Sequence, residues 1–331
     1  MSPTPTITPA TPRGPGSVSG APGLPAGFTE TFTSQYVDVG EVRLHAVVGG
    51  RGPGLLMVHG WPQTWYQWRL LMPTLAQDFT VVAVDQRGMG LSDKPEAGYD
   101  TGTLANDMVA LMDTLGHRRF ALVGCDTGLL ISYAVAADHP ERVARLVVGE
   151  APLPGVSAPT PLILPDAVKD RLWHIPFNQL DTTNERLVEG REDIFIGAEY
   201  DASAGTAKLP DAVVRYYVEM VSNPESLHGS FQLYRQFGTT AMQNEQRKTE
   251  RLTMPVLAIG GAQSSGAMVE DTMRLVADDV QGLVIPDCGH WVAEQAPEAM
   301  LTAISAFLAP YKGEATVIDV SEESRHGVSP S

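Results

Sequence analysis

The chain has only two cysteines in 331 residues, Cys125 and Cys288. They cannot build a disulfide scaffold, and with no CxxC spacing a thiolate metal site is not expected either. Long apolar runs are also missing: nothing approaches the ~20 consecutive apolar residues of a membrane-spanning helix. Basic charge is scarce, 23 Lys and Arg against 39 Asp and Glu, for a formal net charge of −16. Such a surface repels phosphate backbones and anionic lipid, so neither nucleic acid nor a membrane is an expected partner. What is there is enough apolar material for a large core, with 43% hydrophobic and 19% charged residues. The length suits one large domain with an insertion, or two ordinary ones.

Residues 1–27 contain seven prolines, five glycines and one charge, Arg13. Without a hydrophobic period they read as a disordered leader. The basic start and apolar run of a secretory signal are absent, which reads as a cytoplasmic protein. Residues 28–157 and 250–312 alternate short apolar strands with amphipathic segments. Residues 36–39 and 42–48 form a hairpin pattern around Gly40. Strand patterns then end at His59, Asp85, Gly124, Gly149 and Gly260, with helical patterns over 64–76, 100–115, 129–137, 268–277 and 297–308. This rhythm predicts a parallel sheet covered by helices on both faces. It is interrupted over 158–249 by helical or irregular sequence rich in aromatics. An insertion at the carboxyl end of the sixth strand lies over the edge where α/β sheets bind ligands, so it is expected to act as a lid. The tail, 313–331, is polar, with 316–320 able to pair as a short edge strand.

Between one strand and the next helix stands Gly124-Cys125-Asp126-Thr127-Gly128. Glycines two before and two after a central residue permit a tight strand-to-helix turn that thrusts that residue out above the sheet. Asp126 holds this place, although an aspartate there could also merely cap the helix. As a nucleophile, a carboxylate attacking an acyl carbon would give a high-energy anhydride. Attack on a saturated carbon gives an ordinary ester that water can cleave, so the electrophile is expected to be an epoxide or alkyl halide.

Ester hydrolysis needs a base and an acid that orients it. Among the eight histidines, His290 lies after the last strand, where chain order nucleophile–acid–histidine puts the base. After the strand ending at Ile259 no carboxylate appears until Glu270. Glu150, at the end of the preceding strand, is the expected acid; its other reading is a carboxylate at the lid hinge. The backbone amides of Trp61, in His59-Gly60-Trp61-Pro62, and of Thr127 can converge on an oxyanion. His59 reads as structural, and Pro62 as a candidate for a cis bond. Ring opening also needs a proton donor from the lid, for which Trp173-His174 and the segment from Phe231 to Arg235 are candidates. Trp173, Phe177 and Phe231 are expected to line an apolar substrate pocket. No metal and no cofactor is expected.

The motifs His59–Pro62, Asp85–Asp93, Gly124–Gly128 and Cys288–Trp291 together resemble the epoxide hydrolases of the α/β-hydrolase fold, in particular the bacterial Cif-type branch. The resemblance spans about residues 28–311. It implies a mostly parallel eight-stranded sheet flanked by helices, with a helical cap inserted after strand 6. It implies that Glu150, in Glu150-Ala151-Pro152, is the acid, and that His174 and Tyr234 form the ring-opening pair. The substrate is then a small hydrophobic epoxide, with water as second reactant and a homodimer left open. Two alternatives stay open. A haloacid or haloalkane dehalogenase would use the same nucleophile, but Thr127 and Leu130 stand where relatives of that kind place a halide-binding tryptophan or carboxylate-binding arginines. A hydrolase-fold protein that binds without turnover would not need all of Asp126, Glu150 and His290.

Overall fold

The structure, a computed structural model, describes residues 10–158, 163–166 and 168–323. After a short helix α1 (Phe28–Thr31) come β1 (Phe32–Asp38), β2 (Arg43–Gly49) and β3 (Gly54–Val58). A 3₁₀ turn (Trp65–Trp68) and α2 (Met72–Leu75) lead into β4 (Thr80–Val84), α3 (Thr101–Thr114), β5 (Phe120–Cys125), α4 (Thr127–Asp138) and β6 (Val143–Gly149). The helix expected over 64–76 is broken in two because Pro73 lacks an N–H and is tolerated only in the first turn of a new helix. Between β6 and the next strand lie seven helices of the described residues: α5 (Lys169–Leu172), α6 (His174–Asn178), α7 (Thr183–Val188), α8 (Glu192–Ser203), α9 (Asp211–Val221), α10 (Pro224–Arg235) and α11 (Phe237–Arg247). The chain then completes the sheet with β7 (Val256–Gly261), α12 (Met268–Arg274), β8 (Val280–Ile285), α13 (Val292–Gln295) and α14 (Pro297–Glu323).

The eight strands form one sheet in the order β1-β2-β4-β3-β5-β6-β7-β8. The pairs β1–β2 and β2–β4 are antiparallel, and every pairing from β3 onward is parallel. Every residue of β3, β5 and β7 is buried, as a strand covered on both faces requires. Period-two alternation splits their side chains between two apolar cores. Leu56, Val58, Val82 and Leu122 meet α3 and α4 through Leu104, Met108 and Ile131. Leu55, Met57, Val81 and Val123 share the other core with Trp65, Trp68 and Ile304, and this core runs on into the cap through Ile196, Tyr217 and Phe231.

The cap is also tied to the sheet's helices by polar contacts. Gln243 Nε2 of α11 donates to Asp100 Oδ1 at 2.7 Å, and Arg247 Nε to Asp138 Oδ1 at 2.9 Å. Two terminal expectations need correction. Residues 10–27 pack against the core instead of forming a disordered leader: Trp65 Nε1 donates to Gly16 O (2.7 Å), Tyr66 OH to Pro22 O (2.6 Å), and Val18 is buried. A Pro/Gly segment has no periodicity, yet its free carbonyls satisfy two buried aromatic donors. Residues 1–9 of that leader lie outside the described residues. At the other end, 316–320 is not a strand; α14 continues to Glu323, closing backbone hydrogen bonds locally where a strand would need a free sheet edge. No helix among the described residues is long and apolar enough to cross a membrane.

Candidate active site

Parallel register brings the carboxyl ends of β3, β5, β6 and β7 level: Val58 pairs with Gly124, Cys125 with Gly149, and Gly149 with Ile259. The residues that follow each strand therefore meet along one edge, where α/β sheets hold their ligands. Asp126 leaves β5 with φ 55° and ψ −126°, a backbone that a non-glycine residue adopts only when its surroundings over-determine it. Its carboxylate makes no capping hydrogen bond to α4. The capping alternative is thereby removed. A side chain at Gly128 would collide with the Val58 and His59 carbonyls, and one at Gly124 with Gly128 and Ser132, so only glycine permits the approach of α4 to β3.

Asp126 Oδ1 accepts from the Trp61 amide at 2.7 Å, and Oδ2 lies 3.6 Å from His290 Nε2. Thr127, the first residue of α4, carries an amide that no carbonyl within the helix can reach. The other imidazole nitrogen, His290 Nδ1, is 3.0 Å from Glu150 Oε2. Glu150 is inaccessible and has a positive φ of 64° at the end of β6. Its second oxygen accepts from the Gly261 amide on β7, the strand end that lacks an acid of its own. Burial works against an imidazolium at His290. The hydrogen bonds and negative charges of Asp126 and Glu150 outweigh it and raise the ring from 6.5 to about 10. The loop is further held by His290 N–H, which donates to Ser203 O of α8 at 2.9 Å, and by Trp291 Nε1, which donates to Tyr200 O at 3.1 Å.

Across a cavity of about 660 Å³ the cap presents His174 and Tyr234. The Trp61 indole packs on both: it stacks on His174 with centroids 5.1 Å apart and meets the Tyr234 ring edge-on at 5.5 Å, while the His174 and Tyr234 rings meet edge-on at 5.8 Å. Burial, together with the charges of Asp126 and Glu199, pushes the Tyr234 phenol well above its ordinary range, so it remains a donor. His59 is fully buried, with Nδ1 2.8 Å from Gly60 O and Nε2 accepting from the Gln86 amide, and Pro62 follows a cis bond. Both cysteines are free and buried, and burial pushes Cys288 up to about 12. Among the described residues no group of three His, Cys, Asp or Glu side chains is arranged to hold a metal.

The expected substrate-contacting aromatics lie elsewhere. Trp173, Phe177 and Phe231 surround Phe195 at centroid distances of 5.2–6.0 Å; Phe231 is sealed in the cap's core, Phe177 is half-buried and Trp173 is exposed, and none of the three lines the cavity. The apolar wall is made by Leu130, Leu172, Ile175, Phe237, Met268 and Leu275. The sequence reading also missed Glu199. It lines the cavity, is buried, and sits on α8 in the stripe Ile196, Glu199, Tyr200, Ser203. A charged residue at i+3 on a buried apolar stripe was the available signal.

A helix-flanked, mostly parallel sheet with a side chain raised on a strand-to-helix elbow defines a hydrolase of the α/β-hydrolase fold. The chain belongs to that family: its residues 53–297 match the family described as alpha/beta hydrolase fold. Its relatives include the soluble epoxide hydrolase of Corynebacterium sp. (strain C12), 31% identical over 292 residues, which are 85% of this chain and 99% of that protein. The fluoroacetate dehalogenase of Burkholderia sp. is 34% identical over 251 residues, 72% of this chain and 80% of its own. Among solved structures, wild-type Cfl2 from Burkholderia cenocepacia is similar with a TM-score of 0.80 and 33% identity, over 84% of this chain and 96% of that one.

Proposed function

We propose that the protein is an epoxide hydrolase that works through a covalent ester on Asp126. The observation that carries this reading is a carboxylate, not a hydroxyl or thiol, on the elbow in line with His290 and Glu150. Asp126 attacks an epoxide carbon while His174 and Tyr234 donate to the ring oxygen. Forming the ester removes the Asp126 charge, one of the two that raise the His290 ring, so the imidazolium gives up its proton to solvent and the neutral ring can then take one from the attacking water. Glu150 orients the ring, and water attacks the ester carbonyl with the Trp61 and Thr127 amides stabilising the oxyanion. The cavity wall suits a hydrophobic epoxide.

The test is intact-mass spectrometry of the His290→Gln variant mixed with excess styrene oxide. The expected result is a stable adduct of one substrate mass on Asp126. Free protein alone, with wild-type turnover intact, would contradict the covalent scheme. Dehalogenation is the second reading, favoured by the dehalogenase relative and by Arg171, which lines the same cavity and donates to Gln263 O at 3.0 Å. Fluoride released from fluoroacetate faster than any epoxide is opened would put that reading first.

A further inference from the structure

His174 is held from one side. Its Nδ1 lies 3.0 Å from Glu199 Oε2 and 3.0 Å from the Arg171 carbonyl oxygen. That carbonyl can only accept, so Nδ1 carries the proton it receives. The other nitrogen, Nε2, makes no hydrogen bond among the described residues, on a side chain that lines the cavity. A neutral ring in this tautomer would show a lone pair to the epoxide oxygen and could not donate. Donation from Nε2 therefore requires the imidazolium. Two features favour that cation: the buried carboxylate of Glu199, and the Trp61 face stacked on the ring at 5.1 Å. Glu199 is itself anchored, since Ser203 Oγ donates to Oε1 at 2.8 Å.

We propose that Glu199 is a positioning residue that keeps His174 as an imidazolium, making Nε2–H the acid for ring opening. The proposal rests on the epoxide reading above and deepens it. As Asp126 forms its bond to carbon, the C–O bond breaks and its electron pair takes the Nε2 proton, leaving a hydroxyl and a neutral imidazole whose Nδ1–H still donates to the Arg171 carbonyl. Solvent restores the Nε2 proton before the next turnover. The charged and titratable groups around His174 are Glu199 from α8, Tyr234 from α10, Arg171 from α5 and Asp126 on the core side of the cavity. The Arg171 guanidinium is engaged with Gln263 O, which leaves Glu199 as the counter-ion in contact. The same helix fixes the other histidine, through Ser203 O to the His290 amide, so α8 sets the distance between the acid of the first step and the base of the second.

Two measurements test this. In ¹⁵N-resolved spectra of the ligand-free full chain, with the His174 signals assigned by their loss in His174→Gln, both ring nitrogens of wild type should be protonated at neutral pH. Glu199→Gln should leave only Nδ1 protonated. A neutral His174 ring in wild type, or an imidazolium that survives Glu199→Gln, overturns the proposal. In single-turnover experiments with styrene oxide, Glu199→Gln should slow ester formation roughly 10²-fold at pH 8. Ester hydrolysis should change little, and the gap in ester formation should narrow toward pH 6 as solvent protonates the ring. A deficit of equal size at both pH values would indicate mere loss of structure and count against the proposal. If wild type opens no epoxide at all, the functional reading fails, while the spectra still decide the charge of the pair.

Discussion

At the scale of the residue, His290 is the most strongly perturbed base of the site. Two carboxylates face it and raise it from 6.5 to about 10; under the proposed scheme it serves as a base only after Asp126 is esterified and the ring has released its proton. The same perturbation is a stability statement. A folded-state value raised from 6.5 to about 10 stabilises the fold fully below about 6.5, and that contribution disappears as pH rises through about 10. Urea denaturation between pH 6 and pH 10 should therefore show wild type losing its advantage over His290→Gln as pH increases. Asp126→Asn, which keeps the shape but not the charge, should narrow the window from its alkaline end. A wild-type advantage constant over that range would contradict the assigned charge state. Glu150 adds a second residue-scale expectation: Glu150→Gln should lower turnover by about 10²-fold or more, with the fold retained, whereas Glu270→Gln, whose carboxylate pairs with Arg274 on α12, should not.

At the scale of the element, the elbow between β5 and α4 shows why two glycines bracket Asp126. The carbonyls of Val58 and His59 leave no space for a Cβ at Gly128, and the neighbouring atoms are backbone that cannot swing away. Gly128→Ala should cost about 1–3 kcal/mol by urea denaturation and displace Asp126 from the Trp61 amide, lowering activity more than stability alone explains. The elbow was legible in the sequence because its geometry depends on residues two positions away. The single helix expected over 64–76 fails for an equally local reason, Pro73, whose missing N–H starts a new helix there. The cap helices are different. Phe231 and Tyr234 lie three positions apart on α10, yet one is sealed in the cap core and the other borders the cavity. Helical spacing tells which side chains share a face, but not which neighbour that face will meet.

At the scale of the whole molecule, one apolar core passes from beneath the sheet into the cap, and the strap of residues 10–27 closes over it. Removing residues 1–24 should expose Trp65 and Tyr66, lower stability by roughly 1–3 kcal/mol, and red-shift the tryptophan emission. Thermal melts and fluorescence unchanged by the truncation would show the strap to be incidental. Sequence reading described this segment as a leader because it lacks any period. What orders it is a pair of buried donors, Trp65 Nε1 and Tyr66 OH, more than forty residues further along the chain.

The amino-acid sequence alone was sufficient for the alternation of strands and helices, the elbow carrying Asp126, and the strand ends that bear Glu150 and the His290 loop. These follow from short-range steric and hydrogen-bonding rules, and parallel register then carries neighbouring strand ends to a common edge. Tertiary structure alone decided which aromatics wall the cavity, that Glu199 lies against His174, and that the amino-terminal strap is ordered. Those outcomes depend on how separate helices pack and on which buried donors are left needing a carbonyl, and such demands are met by residues distant in the chain.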